Sequence, residues 1–441
     1  MFNFFKPAPA VARLPQEKIP SAYRNYRIRM FLMMYIGYAG YYLVRKNFTL
    51  ASPFLINSYS FSKTDIGLIS AGLAIAYGLG KFVLGSLADK SNVKYFLGFG
   101  LLASSIISIL MGFTSVVWIF LILMIINGLF QAMGAPPCSI IIGKWFSQNE
   151  RGLKMGIWNT SHNIGGGLIA PLATLALLIF GSNNFQSIFF VPAAVCILIS
   201  IFVFFIGADT PESVGLPPID EYRNDYAEVK VDTDATSLST KEIVLKYVIK
   251  NKYVWYLCLA NIFVYLIRQG VVNWIPIYLQ EAKSFSVADS NWAMFLFEYA
   301  AIPASILLGW LSDVLFKGKR APLSMICMIG VIFAIVAYWT TSNHLITMIS
   351  VAVIGCFIYG PQLLIGMNLI DIVPNFAVGA AVGLSGLCAY LIGETLADIV
   401  VGFIADTFGW NGAFIFIILG AIMALILLSL TLNIKKDKKQ N

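Results

Sequence analysis

Charge is what this sequence has least of. Only 12% of its 441 residues are Asp, Glu, Lys or Arg, against roughly 25% in soluble domains. Apolar residues make up 59% and the mean hydropathy is +0.79. A soluble fold could not hide that much apolar surface, because single cores stop growing near roughly 250–300 residues. Cysteines are few and scattered: Cys138, Cys196, Cys258, Cys327, Cys356 and Cys388 lie in apolar stretches with no Cys-x-x-Cys spacing. That excludes a disulfide framework and a cysteine metal site, and the thiols read as packing residues. No nucleophile–base arrangement stands among the polar positions, so neither an enzyme nor a cofactor is expected. The net charge of +8 does not point to nucleic acid, since the basic residues sit at the ends and in short loops. No cleavable signal peptide is read, because the first apolar run is long enough to span a bilayer.

Apolar runs of about 20 residues, the length that crosses a bilayer as a helix, predict spans at 29–51, 66–87, 95–113, 116–142, 153–181 and 186–207. Six more follow at 254–280, 292–313, 321–340, 344–367, 378–403 and 411–433. The hydrophilic stretch from Asp209 to Lys252, with Pro211, Pro217 and Pro218, reads as a connection between two bundles. The expected organisation is an N-terminal segment 1–28, a six-helix bundle 29–207, a loop 208–253, a second bundle 254–433 and a basic tail 434–441. Lys and Arg concentrate in the N-terminal segment, in the connections after spans 4 and 8, and in the tail, whereas the opposite loops carry few, such as Lys63 and Lys283. The positive-inside rule then places both termini and the loop 208–253 in the cytoplasm, with the chain in the inner (cytoplasmic) membrane.

The halves repeat each other. Gly85-Ser-Leu-Ala-Asp89 returns as Gly309-Trp-Leu-Ser-Asp313 at an offset of 224. Tyr38, Tyr42 and Arg45 return as Asn261, Tyr265 and Arg268 at 223, and Gly152 and Gly156 as Gly379 and Gly383 at 227. The fold class is therefore an all-α membrane protein of twelve transmembrane helices in two six-helix pseudo-repeats. That is the construction of the major facilitator fold, which binds its substrate near the midplane.

A charge in hydrocarbon costs at least about 2.5 kcal/mol on insertion scales, so each one needs a reason. Arg45 and Arg268 lie in the middle of spans 1 and 7. Tyr38, Tyr42 and Arg45 share one helix face at i, i+4, i+7, as do Asn261, Tyr265 and Arg268. Two guanidinium groups related by the repeat suit a dianion, because each offers paired N–H donors matched to phosphate oxygens. A structural ion pair for each arginine is the alternative. Lys81, one turn after Tyr77, extends the positive field. Lys46 points about 100° from Arg45 and reads as a partner for an acid such as Glu298. His162 stands among Asn159 and Asn163 just before Gly165-Gly-Gly167, either as a packing residue or as a group that senses phosphate protonation. Glu394 and Asp398, at i and i+4, are either structurally paired or in contact with substrate hydroxyls. Tyr359 and Tyr390 add hydroxyls in spans 10 and 11. Glu298, Asp89, Asp313 and Asp371 read as gate or cytoplasmic-end residues.

Several stretches resemble the organophosphate:phosphate antiporters: Tyr41-Tyr42-Leu-Val-Arg45-Lys46-Asn47-Phe48, Ile75-Ala-Tyr77-Gly-Leu-Gly-Lys81, Trp158-Asn159-Thr-Ser-His162-Asn163 and Phe263-Val-Tyr265-Leu-Ile-Arg268. Asp209-Thr-Pro-Glu-Ser213 and Ile358-Tyr359-Gly-Pro361 extend the likeness over nearly the whole chain. That family transports glycerol 3-phosphate, hexose 6-phosphates and phosphoglycerates, and includes a sugar-phosphate sensor. The resemblance implies alternating-access exchange of a phosphate ester for inorganic phosphate, with the phosphoryl group held between Arg45 and Arg268. It also assigns Lys81 and His162 to the phosphate site. Glycerol-phosphate members carry Trp where this chain has Ala135 and Asp where it has Asn273. A larger ester is therefore expected, with hexose 6-phosphate ahead of phosphoglycerate and glycerol 3-phosphate. Glu394 is similar to an acid of the hexose-phosphate transporters, while Pro374-Asn-Phe-Ala-Val378 resembles the phosphoglycerate branch. The candidate binding residues are thus Arg45, Arg268, Lys81, His162, Tyr38, Tyr42, Tyr77, Asn159, Tyr265, Tyr359, Tyr390 and Glu394. The expected partners are the ester, inorganic phosphate and the bilayer, with the chain acting as a monomer. A membrane sensor and a proton-coupled symporter are the rival readings.

Overall fold

The computed structural model describes residues 5–225, 240–374 and 377–432. The tail at 434–441, the middle of the loop 208–253 and part of the motif at 374–378 lie outside the described residues. Contacts divide the chain into two compact units: Met1–Phe54 with Ala76–Val229, and Leu55–Ile75 with Lys230–Asn441. The described residues are almost entirely helical, as a bilayer demands, because a helix satisfies its own backbone polar groups.

In the first unit α1 (Ile19–Tyr59) starts the bundle, joined by the later part of α2 (Lys63–Ala88) and by α3 (Val93–Gly112). The fourth span is interrupted, α4 (Val117–Gln131) giving way to α5 (Ala135–Trp145). The fifth breaks at Thr160 between α6 (Gln148–Asn159) and α7 (Ser161–Phe180). α8 (Ser187–Ile206) is the sixth, and the short α9 (Ile219–Arg223) follows. α1 has 41 residues, about 60 Å at 1.5 Å each, so it projects well beyond a bilayer core. Its first turns are held by the connection after α8. The Tyr23 hydroxyl donates to the Pro217 carbonyl at 2.7 Å, and the Val11 and Leu14 amides donate to the Glu212 and Gly215 carbonyls at 3.0 and 2.8 Å. The buried Asp209 carboxylate accepts from the Ala8 and Val93 amides at 2.8 and 3.0 Å, which closes the start of α3 as a cap would.

The second unit contains the turn between α1 and α2, then α10 (Thr240–Ile243) and a π-helical turn at Val244–Ile249. The seventh span is α11 (Lys252–Val272) followed by α12 (Ile275–Lys283). α13 (Val287–Val314), α14 (Arg320–Thr340) and α15 (His344–Ile372) are spans 8 to 10. The eleventh begins as α16 (Val378–Cys388) and continues through π-helical segments Ala389–Glu394 and Leu396–Val400. α17 (Val401–Ser429) carries the twelfth, with a break at Gly409, whose φ of 69° suits a residue without Cβ. Nine described stretches are long and apolar enough to cross a membrane. One of them, Val378–Ser429, holds spans 11 and 12, and α1 and α2 supply the first two, which completes twelve. The start of α2 is fixed inside this unit. Asp406 accepts from the Lys63 and Thr64 amides at 3.1 and 2.7 Å, and Lys63 Nζ donates to Glu281 at 2.8 Å.

Candidate functional site

In the first unit, α1 and the fifth span approach so closely that a Cβ on Gly165 would lie 2.1 Å from the Ala39 carbonyl oxygen. Small residues are what permit such contact between membrane helices. The approach stacks a ladder of side chains up one face of α1. Tyr35 and Thr160 share a hydrogen bond of 2.8 Å between hydroxyls. The Tyr38 ring lies 4.8 Å from Trp158, and Tyr42 lies 5.6 Å from His162. Arg45, 7% exposed, tops the ladder. Its guanidinium carbon is 5.6 Å from the Tyr42 ring centre and 4.6 Å from that of Tyr77. Lys81 Nζ lies 5.6 Å from the same Tyr77 ring. Ring faces attract these cations, while the N–H donors of a stacked guanidinium lie in its own plane. Lys81 and Asn159 are exposed; His162, Tyr38, Tyr42 and Tyr77 are buried.

In the second unit the approach recurs: a Cβ on Gly393 would lie 2.5 Å from the Ile262 carbonyl oxygen. Asn261 donates to the Ser385 hydroxyl at 3.0 Å, and the Tyr265 and Tyr390 rings meet edge-on at 5.3 Å. Arg268 is 5% exposed. It donates to the Tyr359 hydroxyl at 2.6 Å and to Gln362 Oε1 at 3.2 Å. Tyr359 in turn donates to Glu298 at 2.7 Å, and Gln362 donates to the Tyr265 hydroxyl at 3.3 Å. The Arg268 guanidinium carbon also lies 4.4 Å from the Tyr359 ring centre. A carboxylate two hydrogen bonds away offsets the cost of burying this cation. Glu394 is buried in the first π-helical segment, and Asp398 accepts from Asn273 at 2.8 Å.

All twelve candidate residues fall within the described residues. The structure groups seven in the first unit (Tyr38, Tyr42, Arg45, Tyr77, Lys81, Asn159 and His162) and five in the second (Tyr265, Arg268, Tyr359, Tyr390 and Glu394). Sequence reasoning missed Gln362 and Trp158. Gln362 stands one helical turn after Tyr359, right behind Pro361, and that spacing was the available signal. Glu298 lies in the middle of α13, bonded into the Arg268 network, and so is not a helix-end residue. Asp313 and Asp371 do gather at a helix end, both paired with Arg320.

The described helices and their order match known proteins at three levels. A sequence model of the Major Facilitator Superfamily matches residues 34–397. A glycerol-3-phosphate transporter of Bacillus subtilis is 48% identical over 99% of this chain and 99% of its own length. A phosphoglycerate transporter protein of Salmonella typhimurium is 41% identical over 97% of this chain and 93% of its own. Among solved structures, a bacterial homologue of the human lysosomal transporter Spinster superposes with a TM-score of 0.77 at 16% identity, covering 92% of this chain and 96% of that one. This last likeness speaks for the fold alone. A superfamily match over most of the chain and near full-length identities above 40% fix the kinship: this is a multi-pass membrane transporter, not an enzyme, and it belongs to the organophosphate:phosphate antiporter family of the major facilitator superfamily.

Proposed function

We propose that the protein takes up a phosphate ester in exchange for inorganic phosphate by alternating access, with Arg45 and Arg268 gripping the phosphoryl group from the two repeats. The observation that carries this reading is the pair of arginines at one station of the repeat, each buried and each set against tyrosines. Each guanidinium supplies two parallel N–H donors to phosphate oxygens. Lys81 and His162 add positive charge or hydrogen bonds on the first side, while Tyr38, Tyr42, Tyr77 and Asn159 shape it. Tyr265, Tyr359, Tyr390 and Glu394 do the same on the second. The bundles 29–207 and 254–433 act as the rocking bodies, with both termini in the cytoplasm and the chain working as a monomer in the inner membrane.

Among esters, glycerol 3-phosphate leads, because the 48% identical relative carries that name over its whole length. One observation favours a larger ester, hexose 6-phosphate or phosphoglycerate. Ala135 stands where glycerol-phosphate members of the family carry Trp, and the smaller side chain suits a bulkier ester.

The test is exchange in proteoliposomes loaded with labelled phosphate and offered glycerol 3-phosphate, glucose 6-phosphate and 3-phosphoglycerate in turn. Ester-dependent efflux of label is the expected result, and the ester giving the highest kcat/KM names the substrate. Saturable ester binding without efflux would replace transport by sensing. Uptake that ignores internal phosphate and collapses with the proton gradient would replace exchange by proton symport.

A further inference from the structure

The ladder on α1 begins at a groove that none of the twelve candidate residues lines. It encloses about 420 Å³ between the first turns of α1, the start of α6 and α9. Four cations face it: Arg24, Arg27, Lys154 and Arg223. Its floor is aromatic. The Arg27 guanidinium carbon lies 4.9 Å from the Phe146 ring centre, and Lys154 Nζ lies 5.5 Å from the same ring and 5.3 Å from that of Phe31. One ring thus carries two cations. Glu150 is the acid that reaches them, paired with Arg27 and, at 3.6 Å, with Arg223. The nearby Asp220 and Glu221 are turned to Arg151 at 3.7 Å and Arg13 at 2.6 Å. Among the described residues the lining of the groove thus holds four cations and no acid. Burial, and then the charge of Arg223, hold Arg27 below the ordinary arginine range. Its buried Nε finds no hydrogen-bond partner among the described residues.

The groove and the candidate residues of the first unit share one face of α1. Arg24, Ile28, Phe31, Tyr35, Tyr38, Tyr42 and Arg45 follow at alternating steps of four and three, which is one face of a helix. From Arg27 to Arg45 that face climbs about 27 Å at 1.5 Å per residue. We propose that the groove is a second, weaker phosphate-anion site, which collects inorganic phosphate or the phosphoryl end of an ester and passes it up α1 toward Arg45. Its place on the path rests on the transport reading above; its binding chemistry does not. Guanidinium and ammonium groups on aromatic faces bind oxyanions through charge-assisted hydrogen bonds, and in an open groove they do so weakly and with strong dependence on salt.

The test is equilibrium binding of labelled inorganic phosphate to the full chain in neutral detergent. In a monodisperse R45Q/R268Q protein, a saturable millimolar site should persist and weaken about tenfold between low and 1 M salt. Adding K154Q and R223Q should abolish it, and K154R with R223K should restore it. No residual binding in a folded R45Q/R268Q protein would overturn the groove, as would residual binding indifferent to K154Q and R223Q. Phosphate binding unaffected by R45Q/R268Q would instead defeat the two-arginine reading and leave the groove to be decided by K154Q and R223Q alone. Native mass spectrometry separates the sources of the phosphate group. A phosphatidylglycerol retained through Lys154 and Arg223, and not displaced by inorganic phosphate, would make the occupant a lipid headgroup and overturn the proposal.

Discussion

Arg45 and Arg268 stand at the same station of two repeats, each against tyrosine rings, yet the residues packed around them differ. Around Arg45 stand the rings of Tyr42 and Tyr77, with Lys81 set against the latter. Around Arg268 the rings of Tyr359 and Tyr265 stand likewise, and hydrogen bonds run to Tyr359 and Gln362, and through Tyr359 to Glu298. The supporting helices differ in the same way. Tyr38 packs on Trp158 in the first unit, where its counterpart Asn261 hydrogen-bonds Ser385 in the second. One half presents a cation from an aromatic cradle among further cations. The other holds its cation in a polar network that supplies part of the compensating charge. A phosphate arriving at the second half must compete with Tyr359 and Gln362 for the donors of Arg268. Repeat symmetry thus sets position, and the neighbours set how tightly each arginine is fixed in advance.

The comparison can be broken in four ways. The largest effect belongs to the arginines. R45K and R268K should each lower phosphate exchange at least about 100-fold at normal membrane levels, because an ammonium lacks the paired donors. Near-normal exchange from either variant would remove it from the site. Next come the glycines that bring the spans together. G165V and G393V should lower the thermal unfolding midpoint by several degrees, G165V more, since its added Cβ has the shorter distance to backbone, 2.1 against 2.5 Å. Equal, small shifts would mean that the helices can separate at no loss. The tyrosines divide the halves most sharply. Y359F deletes a hydroxyl that bonds both Arg268 and Glu298 and should cost about tenfold in kcat/KM. Y42F keeps the ring face beside Arg45 and should cost less than Y359F. The reverse order in steady-state kinetics would overturn the contrast. The smallest effect is outside both sites. Arg13 and Glu221 form an exposed pair, so E221Q should leave exchange and the unfolding midpoint unchanged within error.

Much of this was legible in the sequence because hydrophobic run length and repeat offsets report directly on spans and on their duplication. The arginines were legible because a charge in a long apolar run is costly. The interruptions were not. Apolar content looks the same whether a span is continuous or broken, so the breaks at Thr160 and at Asn273–Trp274 left no trace in hydropathy. The π-helical turns around Glu394 escaped for the same reason, since one extra residue per turn changes no residue type. The partners of Arg268 lie 91 and 94 positions away, and only packing brings them together. Asn273 shows both sides of this. The family resemblance marks it as the place where glycerol-phosphate members carry an acid, but only the structure shows that Asp398, from another span, stands 2.8 Å away. The contact-based unit that joins 55–75 to the second half also has no counterpart in the repeat pattern.

The central claim is that both arginines hold one phosphoryl group, and a double-mutant comparison of exchange tests it most directly. Phosphate exchange would be measured for R45Q, R268Q and R45Q/R268Q in the same proteoliposomes. Groups that act as a unit are grossly non-additive, so the double variant should be scarcely slower than either single one. Losses that multiply, with each single variant retaining measurable exchange, would show two arginines acting independently and would contradict the account.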